Sequence, residues 1–319
     1  MKNLNSLFVA VNIFINASAL FGQIVKTFPT EEQLEKESIA LYSGSSFDIY
    51  LNQIFYCDQS ECKIYVFNHE GNYKYSFGRA GQGPGEFNKP YKIIVYKDEI
   101  YVSDNGNGRI QVFTLEGNYK RQIKLATTVF DMAIISDKLF IGNPLTILRY
   151  KDKSDITLFE IYDLMGVLER KIRDPFPDTY AMPIYSQTFT MNKISGEVHL
   201  LQDRGQKYRI YDSEGNKNSE FDLEYDLSKD TEYKKIKYIF RYQCFTVFEN
   251  TIYAAGSWKG KIVIYLFNMS GKYLRKLEYG TKEPDDIYTV ASMKILQKEE
   301  TLLYLLLTDP EHKFVVIKL

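Results

Sequence analysis

The chain is poor in the residues from which most reactive sites are made. It has three histidines, three cysteines and one tryptophan in 319 residues. His69, His199 and His312 stand far apart, and no two have metal-ligand spacing. Three cysteines are too few for a disulfide framework, and no histidine pair accompanies Cys57 and Cys62 to suggest zinc. No serine lies in a Gly-x-Ser-x-Gly elbow. Neither charge sign is in excess. Forty basic and 41 acidic residues leave a net charge of −1, without the polycationic signature of a nucleic-acid binder. No apolar run is long enough to span a bilayer as a helix.

What the chain does have is aromatic mass: 26 Tyr and 21 Phe. These residues suit pleated, half-buried surfaces and favour an all-β protein. The first 22 residues read differently from the rest. Lys2 precedes a short apolar run through Ile15, and Ala17-Ser18-Ala19 supplies small residues before Leu20-Phe21-Gly22-Gln23. This is the pattern of a secretory signal, residues 1–22, cleaved within 19–23. An exported protein, periplasmic or extracellular, is expected, with residues 23–319 as one domain. In that setting Cys57 and Cys62, flanking the turn Asp58-Gln59-Ser60-Glu61, are candidates for a hairpin disulfide.

Self-similarity decides the fold. Two β-runs joined by a turn ending in glycine recur five times, at Gly71, Gly117, Gly166, Gly215 and Gly271. The spacings are 46, 49, 49 and 56 residues. Glycine there supplies the positive φ of a tight connection. Another strand precedes each hairpin, and several of these strands end in aspartate: Asp58, Asp104, Asp203 and Asp309. Such an aspartate accepts backbone N–H groups and tightens a turn, a structural role. A further strand opens each unit on an aromatic-polar pair: Phe47-Asp48, Tyr91-Lys92, Phe130-Asp131, Phe189-Thr190, Tyr242-Gln243 and Tyr288-Thr289. The unit is therefore a four-stranded blade repeated six times. The sixth copy lacks its last strand, and Gln23–Phe28 can supply it. The expected fold is a six-bladed β-propeller of four-stranded blades, closed by the mature N-terminal strand. A β-sandwich would not need this period.

The stretch from Phe77 through Gly78-Arg79-Ala80-Gly81-Gln82-Gly83-Pro84-Gly85-Glu86-Phe87-Asn88-Lys89-Pro90, with the strands after it, resembles the NHL repeat of exported bacterial six-bladed propellers. The resemblance is specific from Ile64 to Leu125. It implies a propeller with ligands at one face or in the central channel. It does not select among lyases, lactonases, scaffolds and RNA-binding modules.

Strand order places the aspartate turns beside the inter-blade loops, on the face where function is expected. The glycine-rich loop is not a phosphate loop, since no Gly-Lys-Ser/Thr ends it. It reads as a tight corner, with Arg79 and Glu86 able to meet a ligand or each other. Arg79, Glu86, Arg109, Tyr185, Arg241 and Trp258 are the candidate ligand-binding residues of this loop face. At the channel mouth the candidates are Asp48, Lys92, Asp131, Thr190, Gln243 and Thr289, with Asp48 and Asp131 flanking Lys92. Oxygen ligands there could hold a calcium ion, although no cofactor is required. The bland alternative is a water-filled channel in which Lys92 offsets two carboxylates. The expected function is recognition of a small molecule, glycan or protein, without nucleic acid or a membrane span. A hydrolase or lyase with a divalent cation in the channel is the alternative.

Overall fold

The computed structural model describes residues 23–129, 131–142, 157–173, 187–192, 196–202, 207–225, 242–258, 261–280, 289–308 and 312–319. The proposed signal segment, Tyr185 and Arg241 lie outside them. Six four-stranded antiparallel sheets form a six-bladed β-propeller. The innermost strands are Gly44–Tyr50, Pro90–Tyr96, Asp131–Ile135, Gln187–Asn192, Cys244–Phe248 and Val290–Gln297, from blades 1 to 6. Each lies beside the innermost strand of the next blade, and that of blade 6 lies beside that of blade 1. In blade 6 the outermost strand is Gln23–Phe28, paired antiparallel with Lys313–Lys318. A single turn of helix, Glu31–Lys36, follows it, started by a capping box between Thr30 and Gln33. Among the described residues no helix is long and apolar enough to cross a membrane.

The core explains the aromatic content. Side chains alternate across each strand, so each blade presents one apolar set to the blade before it and another to the blade after. Phe47, Ile54 and Tyr56 of blade 1 pack on Tyr304, Leu306 and Phe314 of blade 6. The opposite face of the same strands, Phe55, Cys57 and Val66, packs on Ile93, Val95 and Phe113 of blade 2. Four more clusters fill the remaining gaps between neighbours. The second strand, Gln53–Asp58, is consequently buried on both sides along nearly its whole length. Outer strands such as Leu168–Ile172 are mostly exposed.

The two kinds of hairpin turn solve different problems. Inner hairpins use two residues with positive φ: Leu51-Asn52, Lys97-Asp98, Ser136-Asp137 and Glu249-Asn250. These match the strand twist without glycine, helped by Asn or Asp at the second position of each. Outer hairpins share another design. In Asn68, Asp163, Asp212 and Asn268 the side chain accepts the backbone N–H groups of turn residues up to four positions on. The glycine three residues on then takes φ between 80° and 90°.

These glycines are also short of space. A Cβ on Gly117 would lie 2.6 Å from the Phe77 ring of the preceding blade, and one on Gly71 would lie 2.4 Å from Phe28. Each outer turn is thus seated on its neighbour. Gly108 shares the positive φ but has nothing within 4 Å of the corresponding position. Gly108→Ala is therefore expected to cost about 1 kcal/mol, from backbone strain alone. Gly117→Ala adds a clash with Phe77 and should cost about 2–4 kcal/mol. Urea unfolding of the two variants separates strain from packing.

One expectation is corrected. Cys57 and Cys62 are both free. Cys57 stands opposite Ile64 in the ladder, and the strand pairing ends at Asp58 and Lys63, which leaves Cys62 in the turn. The two thiols are therefore not a cross-strand pair. Cys62 directs its sulfur to the Gln59 carbonyl, 3.6 Å away.

Candidate functional site

Among the described residues of the face carrying the inter-blade loops, Asp58 and Asp104, which end the second strands of blades 1 and 2, gather the most hydrogen bonds; Asp203 and Asp309 lie outside the described residues. Asp58 accepts N–H groups from Tyr42 and Ser43 in the loop entering blade 1 and from Ser60 and Glu61 in its own turn. Asp104 is more heavily used. One oxygen accepts the Asn88 N–H at 2.7 Å; the other meets Arg109 Nε at 2.9 Å, Asn107 Nδ2 at 2.9 Å and Gln111 Nε2 at 3.1 Å. It is fully buried. Both aspartates have the structural role expected of them.

The glycine-rich loop is locked around this group. Arg109 donates to the carbonyls of Gly83 and Glu86 and to Gln122 Oε1, in addition to Asp104. Gln111 donates to the Glu86 carbonyl and accepts the Gly85 N–H. Glu86 receives Arg79 on one carboxylate oxygen and the Gln82 and Gly83 N–H groups on the other. The Gly83 amide, followed by Arg79, holds the Glu86 carboxyl below its ordinary range. Of the candidates here, Arg109 and Glu86 are committed to holding the loop. Arg79 presents a guanidinium fixed by Glu86 and largely open to solvent, its side chain 77% exposed.

The channel residues come together, but not as one ring. Counted back from the inner hairpin turns, Lys92 and Asp131 lie four residues before the strand end, and Asp48 lies two before it. Asp48 is thus about 7 Å deeper along the axis at ~3.3 Å per residue. In the upper tier Lys92 Nζ of blade 2 meets Asp131 Oδ1 of blade 3 at 2.5 Å. In the lower tier Lys294 Nζ of blade 6 meets Asp48 Oδ1 of blade 1 at 3.2 Å. Asp48 Oδ2 also accepts the Val95 N–H of blade 2 at 2.9 Å. Burial opposes charge on Lys92, but Asp131, and more distantly Asp48, outweigh it and hold the ammonium above its ordinary range.

The other channel candidates have different surroundings. Gln243 accepts the Val290 N–H of blade 6 and donates to Ser257, so it braces two blades. Thr289 lies just before its strand, its carbonyl accepting the Thr308 N–H. Thr190 lies on the innermost strand of blade 4, and Trp258 ends a strand of blade 5; their side chains are outside the described residues. Lys294 escaped sequence reading because each inner strand was phased from its opening aromatic. Phasing from the hairpin would have found a lysine inside the apolar run Val290–Gln297. Among the described residues no three His, Cys, Asp or Glu gather as a metal-binding group.

The histidines are dispersed. His199 is buried on the face of blade 4 that packs on blade 5, with Nδ1 2.7 Å from the Tyr208 hydroxyl and Nε2 3.7 Å from Glu197. His312 accepts the Gly44 N–H.

A family described as six-bladed beta-propeller matches residues 35–154. No curated protein matches the chain. The structure is similar to a putative exported protein from Bacteroides fragilis NCTC 9343, at 14% identity and a TM-score of 0.60, over 93% of this chain and 95% of that one. It is also similar to a member of the DUF4221 family from Bacteroides vulgatus ATCC 8482, at 12% identity and a TM-score of 0.63, over 93% and 97% of the two chains. A catalytically inactive virginiamycin B lyase from Staphylococcus aureus, solved with quinupristin, aligns at 14% identity and a TM-score of 0.53, over 86% and 80%. At such identities these likenesses show the fold.

Two outcomes follow. Asp104→Ala strands the buried Arg109 charge and should cost about 3–5 kcal/mol, whereas Arg79→Ala removes an exposed pair worth at most about 1 kcal/mol. Chemical denaturation of both variants checks this. Burial lowers the His199 pKa to about 4, against an attraction to Glu197 that raises it. An unfolded histidine titrates near 6.5, so the unfolded chain binds the extra proton between those values. Stability contributed by neutral His199 is present above pH 6.5 and is lost as pH falls toward 4. The loss from this residue should be about 2 kcal/mol between pH 7 and 5, and His199→Gln should remove that part of the slope. Urea midpoints against pH measure it.

Proposed function

We propose that this protein is an exported recognition propeller that binds its ligand at the face carrying the inter-blade loops, over the channel mouth. The observation that carries this reading is the dense hydrogen bonding of one loop of that face. The loop 78–90 spends Asp104, Arg109, Gln111 and Glu86 on its own shape and presents Arg79 outward already fixed. A preorganised surface binds without first being ordered, which is how a recognition loop gains affinity. Export is supported by the pattern of residues 1–22 and by the exported Bacteroides protein of like fold.

The channel supports recognition better than metal-assisted hydrolysis or lysis. Asp48 and Asp131 each face a lysine, and those ammonium groups repel a divalent cation placed between the carboxylates. His199 is fully buried, with no surface open to a ligand.

The test is a thermal-shift panel on mature protein with simple sugars, oligosaccharides, short peptides, calcium and a chelator. A ligand of the organic classes should raise the melting temperature, and Arg79→Ala should weaken that response. A calcium-dependent rise lost on chelation, with no organic response, would overturn this reading in favour of the enzymatic one.

A further inference from the structure

We infer that the outer turn of blade 3, from Asp163 to Leu168, is a peripheral contact site for an anionic lipid surface. This site is separate from the ligand face proposed above and does not depend on it.

The first support is an apolar tip that the fold does not require. Among the described residues, Val25, Tyr42, Leu51, Tyr119 and Leu274 are exposed and scattered over other blades, as is ordinary. Met165, Val167 and Leu168 instead fall in one turn, at 75%, 62% and 42% exposure. That turn is built like its counterparts. Asp163 accepts the Met165 and Val167 N–H groups as Asp212 accepts those of Glu214 and Asn216, and Gly166 shares the positive φ of Gly215. Yet the residues equivalent to Met165 are Glu70, Glu116, Glu214 and Ser270, and those equivalent to Val167 are Asn72, Asn118, Asn216 and Lys272. The same geometry is reached with polar residues in four other blades, so Met and Val serve the surface of this one.

The second support is charge. The whole chain is nearly neutral, but the outer strands beside the tip are basic. Residues 119–124 and 168–173 hold Lys120, Arg121, Lys124, Arg170, Lys171 and Arg173, with Glu169 as their one acidic residue. From neighbouring strands, Glu99 pairs with Lys120 and Arg121, and Glu160 pairs with Lys171. Positive charge remains in excess. Lys124 is exposed and adjoins the tip, its carbonyl 3.5 Å from where a Cβ on Gly166 would stand.

These two features select the occupant. A second copy of the chain would bring basic strand against basic strand. Protein contacts draw their energy mainly from Trp, Tyr and Arg, with Val and Leu under-represented, and this tip has no aromatic ring. Aliphatic side chains on an exposed turn beside cations suit a lipid surface. The apolar groups enter the headgroup boundary while Lys and Arg meet its negative charge.

The experiment is co-sedimentation of the mature protein at low ionic strength with vesicles of phosphatidylcholine, alone or mixed with phosphatidylglycerol. The mixed vesicles are expected to carry down at least about fivefold more protein, and added salt should remove most of that excess. Met165→Ser with Val167→Asn installs residues that other blades use at these places, without adding charge. It should reduce binding to the phosphatidylcholine level and leave the melting temperature unchanged. Leu51→Asn, at an exposed apolar position of blade 1, should leave binding intact. In a second readout, Val167→Trp places a fluorophore at the tip, which brominated lipid in the mixed vesicles should quench. No sedimentation with either vesicle overturns the inference, as does equal binding to both or binding that survives the double substitution. A concentration-dependent dimer abolished by the same substitution, without vesicle binding, would overturn it in favour of a second copy at this turn. None of these outcomes bears on the ligand face, because no ligand enters the experiment.

Discussion

A blade of this protein has two apolar faces and no means of burying either by itself. Phe55 and Cys57 point one way from their strand, and Ile54 and Tyr56 point the other. Each set needs a neighbouring blade, and that neighbour then exposes a second apolar face of its own. A ring is the arrangement in which every such face is covered, because the innermost strands of blades 6 and 1 also lie side by side. The aromatic content follows from this demand. Wedge-shaped gaps between twisted sheets widen outward, and Phe and Tyr fill them with few side-chain torsions to freeze.

The ring in turn dictates how polar groups are used. Connections at the loop end would leave amides unpaired where they enter a blade, and buried aspartates answer that need: Asp58 for Tyr42 and Ser43, Asp104 for Asn88. At the opposite end, the outer turns must be thin enough to rest on the preceding blade. Glycine meets both the angle and the clearance, as Gly117 does against Phe77. Polar groups near the axis brace one blade against the next. Gln243 and Asp48 hold backbone N–H groups of the next blade, whereas Lys92 and Lys294 pair with aspartates of the blades beside them.

The glycine-rich loop and the channel both take up their own charges internally. The glycine-rich loop is stiff because its carbonyls and amides are taken up by Arg109, Gln111 and Glu86, and so Arg79 is held outward. Below it, the charged tiers are balanced within themselves. This local pairing is in keeping with a chain whose basic and acidic residues nearly cancel.

Alternation of apolar residues, the Gly turn recurring every 46 to 56 residues and the aspartates closing second strands are local features, so the six four-stranded blades were legible from residue order alone. The mutual capture of Arg79 and Glu86 was legible for the same reason, since both lie in one short loop. Register was not. Asp48 and Lys92 both follow an aromatic residue, yet they stand on different tiers, because level along the axis is set by distance from the hairpin turn. Nor did the sequence show that Lys294 meets Asp48, nearly the whole chain away, or that Cys62 leaves the ladder before it can face Cys57. Periodicity and turn chemistry are written in neighbours along the chain, and the sequence by itself determined them. Which charges share the channel depends on six sheets meeting around an axis, and only the tertiary structure decided that.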